Sequence, residues 1–309
     1  MTKLKLLIDT DPGVDDALAI LMAHAHADVL GLSIAAGNVG LAHTVRNALK
    51  LVEVIGADTP VFAGCATPLV LPAEDAAFVH GADGFGDTGY TPSQGRAGDE
   101  AAAVSILRLS HAQAGKLVLV AIAPLTNLAL ALRLDPTLPR RVASLVIMGG
   151  AVTGRGNTGR VPAEFNIGFD PEAAHVVFSA FPRFTLVDWE ATTRHGIAFE
   201  RMQAWLDADD PRARFYASIS RKTHAWSRER GRPNVLVADA LAMAVALQPD
   251  IVTRAEDRHV AIELTGTHTR GATVVDWESR SGPAANARIV LDVDQARFEA
   301  LVAAALGSA

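Results

Sequence analysis

The sequence predicts an α/β fold: a single domain with a mainly parallel central β-sheet flanked by helices. Three observations carry this. Short apolar, β-branched runs alternate with longer segments whose apolar residues recur at helical spacing. Polar residues such as Asp9, Asn38 and Asn127 gather where the predicted strands end. No internal repeat, low-complexity tract or linker breaks the pattern.

Residues 4–9 (LKLLID) read as a buried strand, and 14–26 (VDDALAILMAHAH) as a helix. Residues 29–38 are strand-like, and 41–56 show helical spacing closed by a glycine stop. The pattern returns with a strand over 116–124, a helix over 125–134 and a strand over 143–150. Residues 184–190 (FTLVDWE) read as a further strand, and 234–247 (NVLVADALAMAVAL) as an apolar helix with one charge, Asp239. Two glycine-rich stretches, 80–98 and 149–160, are long enough to be functional loops.

Composition excludes several classes. The chain has 309 residues, is 50% hydrophobic and 20% charged, and so can bury a substantial core. Its net charge of −6 gives no footprint for nucleic acid. One cysteine, Cys65, provides no disulfide framework and fits a reducing cytoplasm. No run approaches the roughly 20 apolar residues of a membrane span, and the first apolar run is too short for a signal peptide.

The stretch IDTDPGVDDALAI (8–20) concentrates the chemistry: Asp9, Asp11, Asp15 and Asp16 lie together without a Lys or Arg. Alternate strand residues share a face, so Asp9 and Asp11 project together at the carboxyl end of the first strand, where open α/β sheets bind ligands. Asp15 and Asp16 fall in the first turn of the following helix, where the dipole favours anions. Four like charges at this range raise one another's pKa unless a cation compensates. Oxygen-only donors point to Ca²⁺ or Mg²⁺. Asp239, isolated in an apolar helix, calls for the same kind of partner.

An EF-hand is excluded, because Val14 and Ile20 stand where that loop needs Gly and Glu. A phosphatase with Asp9 as nucleophile, of the haloacid-dehalogenase type, is the enzymatic alternative. Gly13 departs from that motif, and no downstream Lys and Asp-pair motif supports it. A non-catalytic Ca²⁺-dependent sugar- or nucleoside-binding protein is the other alternative.

Taken together, the chain resembles the Ca²⁺-dependent nucleoside hydrolases of the inosine–uridine-preferring type. The matching pieces are DTDPGVDDALAI (9–20), GN (37–38), HGADG (80–84), PLTN (124–127), MGG (148–150), AEFNIGFDPEAA (163–174) and Asp239. The resemblance implies one nucleoside-hydrolase-like domain over 1–309 that cleaves ribonucleosides to ribose and free base. It implies a Ca²⁺ ion ligated by Asp11, Asp16, Asp239 and the main-chain carbonyl of Thr126. Asp11 would also act as general base toward a Ca²⁺-bound water. Asp15, Asn38, Asn157, Glu164 and Asn166 would hold the ribose hydroxyls, with Asp9 supporting the ligands from behind. The family also implies a homodimer or homotetramer. Such chemistry needs an activated water, a grip on the sugar and relief of an oxocarbenium-like charge, which clustered carboxylates provide.

One position departs from the family. Where one branch carries His beside the late metal-binding Asp, as an acid for the leaving base, this chain has Ala238. The residues left to serve the base are His80, which matches the HG motif, with His224 and Trp226; Trp189 and His195 are weaker candidates. A base activated by stacking or by another donor implies purines as better substrates than uridine.

Overall fold

The computed structural model describes residues 3–93 and 95–308 of the chain. Its strands are β1 (Lys5–Thr10), β2 (Asp28–Ile34), β3 (Val61–Ala63), β4 (Leu117–Ala121), β5 (Ser144–Met148), β6 (Phe184–Val187), β7 (Ile197–Ala198), β8 (Asn234–Val235), β9 (Val252–Ile262), β10 (Thr273–Asp276) and β11 (Ala287–Val293). Nine of them form one sheet in the order β10-β9-β11-β6-β5-β4-β1-β2-β3. Neighbours from β3 across to β11 run parallel. Only β9 and β10 join it antiparallel. The predicted mainly parallel sheet is therefore present.

The helices are α1 (Val14–His26), α2 (Leu41–Ile55), α3 (Ala77–His80), α4 (Ala102–Ala112), α5 (Thr126–Leu134), α6 (Phe165–Phe169), α7 (Pro171–Ala180), α8 (Trp189–Arg194), α9 (Phe199–Leu206), α10 (Pro211–Glu229), α11 (Ala238–Leu247) and α12 (Gln295–Ala305). Alternation in β1 separates the two faces of the sheet. Leu6 and Ile8 join the core built from α1, α10, α11 and α12, whereas Leu7 joins the one built from α4, α5 and α7. All three are fully buried, each worth about 1.5–3 kcal/mol of transfer free energy. Of the residues of α1 from Val14 to Ala23, only Asp15 is not fully buried.

The strand order reverses between β2 and β4, on either side of β1. In an open α/β sheet that reversal opens a crevice at the carboxyl ends of the strands. Asp9, Thr10 and Asp11 stand at that end of β1, which sets the carboxylates against the core at the crevice, with Asp9 itself fully buried.

Element ends differ from the sequence reading in specific places. The strand expected to run to residue 38 stops at Ile34, releasing Gly37 and Asn38 to turn over the end of β1. The strand expected over 184–190 stops at Val187, because Asp188 caps α8 by accepting from the Ala191 N–H. Residues 234–235 are a short strand against β7, and the Asp239 helix begins only at Ala238. The loop over 149–160 holds no helix or strand, as expected. No helix among the described residues is long and apolar enough to cross a membrane.

Candidate active site

The β1–α1 turn is a tight cage around its own carboxylates. Thr10 Oγ1 donates to Asp16 Oδ1 at 2.6 Å, and the Asp11 N–H donates to the same oxygen at 3.2 Å. The Gly13 N–H reaches Asp16 Oδ2 at 3.0 Å, an N3 side chain turned back onto the helix start. Gly13 is glycine by necessity: a β-carbon there would lie 2.7 Å from His80 Nδ1 and 2.8 Å from Asn38 Nδ2.

Asn38 ties the two arms together. Its N–H donates to Asp11 Oδ2 at 2.7 Å, and its side-chain amide donates to Asp16 Oδ2 at 2.9 Å. Asp9 lies deeper, fully buried, with Oδ1 accepting from Ser33 Oγ at 2.7 Å and Asn127 Nδ2 at 2.9 Å. Its other oxygen, Oδ2, is buried without a partner. Sequence reading gave Ser33 and Asn127 no role, since each reads as an ordinary polar residue at a strand or helix end.

Asp15, Asp16 and Asp239 bring one carboxylate oxygen each to within 4.8 Å of one another. Asp11, expected among the ligands, stands beside this trio rather than within it, and its Coulomb partners are Asp16, Asp15 and Asp9. Burial, then mutual repulsion, drives Asp11 and Asp239 well above the ordinary carboxylate range. Burial likewise lifts Asp9 and Asp15 to about 6. Buried carboxylates crowded without a cation, an unpartnered buried oxygen on Asp9 and an all-oxygen donor set together fit a hard divalent metal ion. Thr126, the expected carbonyl ligand, is buried at the start of α5, its hydroxyl donating to Asp170 Oδ2 at 2.7 Å.

One cavity opens over this cluster. Asp15, Asn38, His80, Asn157, Glu164, Asn166 and Trp226, all expected to hold substrate, line it together with Asp239. Glu164 caps α6: Oε1 accepts from the Asn166 N–H at 2.9 Å, while Oε2 accepts from Gly150 at 2.8 Å and Ile167 at 3.1 Å. Burial raises it to about 7 against the pull of those donors. Asn157 Oδ1 accepts from the Phe165 N–H at 2.8 Å, fastening the glycine-rich loop beside Glu164.

Much of the remaining lining is aromatic and basic. Phe78, Trp189, Trp226, His224 and Arg232 belong to it. His80 Nδ1 accepts from the Val14 N–H at 3.1 Å, which leaves the proton on Nε2, and burial lowers its pKa to about 4. His224 falls to about 4 through burial and then Arg228. His195 does not reach the cavity; it bonds Gln295 and Asp292 near β11. Tyr216 and Arg232, neither singled out in the sequence, both line the cavity. The Tyr216 hydroxyl is buried without a partner, and burial, then Asp15 and Asp239, raise its pKa.

Comparison with known proteins identifies relatives of the chain. The family model for inosine-uridine preferring nucleoside hydrolases matches residues 6–300. The chain is 37% identical over 300 residues to a non-specific ribonucleoside hydrolase, RihC, of Klebsiella pneumoniae, covering 96% of each chain. It is 35% identical over 309 residues to the inosine-uridine preferring nucleoside hydrolase of Crithidia fasciculata, covering 98% of this chain and 97% of that one. Among solved structures, an inosine-guanosine nucleoside hydrolase superposes with a TM-score of 0.92 at 32% identity, covering 99% of both chains.

Proposed function

Since the chain belongs to the inosine-uridine preferring nucleoside hydrolase family and hydrolyses the N-glycosidic bond of ribonucleosides, we propose that Asp11 is its general base and Ca²⁺ its metal. The observation that carries this reading is the crowding of Asp15, Asp16 and Asp239 oxygens within 4.8 Å, beside Asp11 and under one cavity. Asp11, Asp16, Asp239 and the Thr126 carbonyl would hold the ion. Its all-oxygen donor set and the number of carboxylates favour Ca²⁺, which takes 6–8 oxygens in flexible geometry. When bound, the ion supplies positive charge that offsets the carboxylates and acidifies water.

The chain's own residues do the rest. Asp11 takes the proton of the attacking water, with its carboxylate aimed by the Asn38 N–H. Asp15, Asn38, Asn157, Glu164 and Asn166 grip the ribose hydroxyls, holding the sugar at the carboxylate end of the cavity. Positive charge developing on the sugar is met by that carboxylate ring. Trp226 and His80, which also line the cavity, would face the base. His80 serves there as a neutral Nε2–H hydrogen-bond donor, since Nδ1 is committed to the Val14 N–H.

The phosphatase alternative needs Asp9 as an accessible nucleophile, but Asp9 is fully buried behind Ser33 and Asn127. Release of reducing sugar from a nucleoside panel, with and without added Ca²⁺, tests the proposal. Ribose release that depends on Ca²⁺ is the expected result.

A further inference from the structure

Arg232 is the feature of the cavity that the reaction, as described so far, leaves unused. It is half-buried in the cavity wall, and among the described residues no carboxylate oxygen lies within 4.0 Å of its guanidinium. Rings hold it instead. Its guanidinium carbon lies 4.7 Å from the Trp226 ring centroid and 5.7 Å from that of Trp189. Arg230 lies over the same Trp226 ring at 4.1 Å, and Phe78 packs beside it at 6.2 Å. A guanidinium fixed on aromatic faces, in a cavity and without an anion, is a charged donor awaiting one.

Among the described residues that line the cavity, Arg232 is the one permanent cation. Ala238 has no acid to offer. His80 has its Nδ1 tied to a backbone N–H and is a neutral donor. His224 is half-buried edge-on to Phe199 with an unpartnered Nε2, and burial, then Arg228, lower its pKa. The cavity thus combines carboxylates with one persistent cation held on aromatic rings.

We infer that Arg232 is the leaving-group residue, stabilising the departing nucleobase as an anion. This rests on the nucleoside-hydrolysis reading and deepens it. The C1′–N bond breaks with its electron pair passing to the base nitrogen, and the water oxygen bonds to C1′. The water's proton passes to Asp11. After release the base anion takes a proton from solvent, and Asp11 returns its own to solvent. A guanidinium does not donate its proton near neutral pH, but its fork matches paired acceptors such as O6 and N7 of a 6-oxopurine. Adenosine offers an amino donor at that edge and a poorer anion. The site therefore selects 6-oxopurine ribosides over adenosine.

The test compares inosine, adenosine and p-nitrophenyl β-D-riboside, whose phenolate leaves without assistance, in wild type, Arg232→Gln and Arg232→Lys. The Gln variant should lose about 10²-fold in kcat on inosine yet change by less than about threefold on the nitrophenyl riboside, the size of one lost charge-stabilising donor. Lys should recover part of the inosine loss, since it restores charge without the fork. Equal losses on both substrates would reduce Arg232 to a brace for Trp226 and overturn the inference, as would an unchanged inosine rate in the Gln variant. A basic limb in the inosine pH profile that vanishes in His224→Phe would also overturn it. Wild-type protein inert on every riboside would instead remove the hydrolase reading, and the inference with it.

Discussion

Gly37 backs directly onto Asp11: a β-carbon at position 37 would lie 2.1 Å from Asp11 Oδ2 and 2.9 Å from the Pro124 ring. The β2–α2 turn thus fixes where the base carboxylate can sit, because only a residue without a side chain lets the Asn38 N–H reach it. Gly37→Ala should push the Asp11 carboxylate aside by a large fraction of an ångström. A displacement of about 1 Å can lower turnover by about 10²-fold. Steady-state kcat/KM on inosine, with circular dichroism to show the fold intact, checks this; a folded variant with wild-type kcat/KM would contradict it.

Asn127 is a latch beneath the site. It donates to Asp9 Oδ1 and accepts from the Cys65 N–H at 2.8 Å. Asn127→Ala strands the Cys65 N–H and leaves Asp9 Oδ1 with Ser33 alone, its other oxygen being unpartnered already. Leaving a buried polar group unsatisfied is worth about 1–3 kcal/mol. Urea unfolding should show a loss of at least that size, and an unchanged midpoint would refute the latch.

Glu164 links pH to stability. Burial raises its folded-state pKa to about 7 from an ordinary 4.5. Between those values the folded chain binds more protons than the unfolded one, so stability falls as pH rises. Its contribution is complete below about pH 4.5 and is lost as pH rises through about 7. Glu164→Gln removes the titration but cannot accept all three N–H donors. The variant should melt lower than wild type, with a gap that narrows as pH rises through this window. A gap that widens with pH would show that the carboxylate form is the stabilising one.

How much of this was legible in the sequence follows from how local each feature is. The aspartates of 9–16 and the lone charge of Asp239 stand out because burying a carboxylate in an apolar run demands compensation. The alternation placed Asp9 and Asp11 at a strand end, but the joining of Asp239 to them was implied only by the resemblance to the nucleoside hydrolases. Arg232 was illegible: it lies in a basic run, RERGRP, that reads as a solvated surface, and only the folded chain leaves it without an anion. Strands β9 and β10 were missed for a similar reason, since VTRAEDRHVAI carries charges along a half-exposed strand and hides its alternation. Strand β3, with Val61, Phe62 and Ala63, is too short to read as a period.

Asp11 is expected to do more than bind metal. Asp11→Asn, saturated with Ca²⁺, should lose about 10²–10⁴-fold in kcat, the usual worth of a positioned general base. A variant that binds Ca²⁺ normally and turns over at the wild-type rate would assign the proton to another group.

The central claim is that buried carboxylates around Asp11 work as a Ca²⁺ site for nucleoside hydrolysis. Ribose release from inosine by protein stripped with a chelator and gel-filtered, before and after Ca²⁺ is restored, tests it most directly. The account predicts that hydrolysis falls to background and returns with Ca²⁺. Full turnover in rigorously metal-free protein would contradict it.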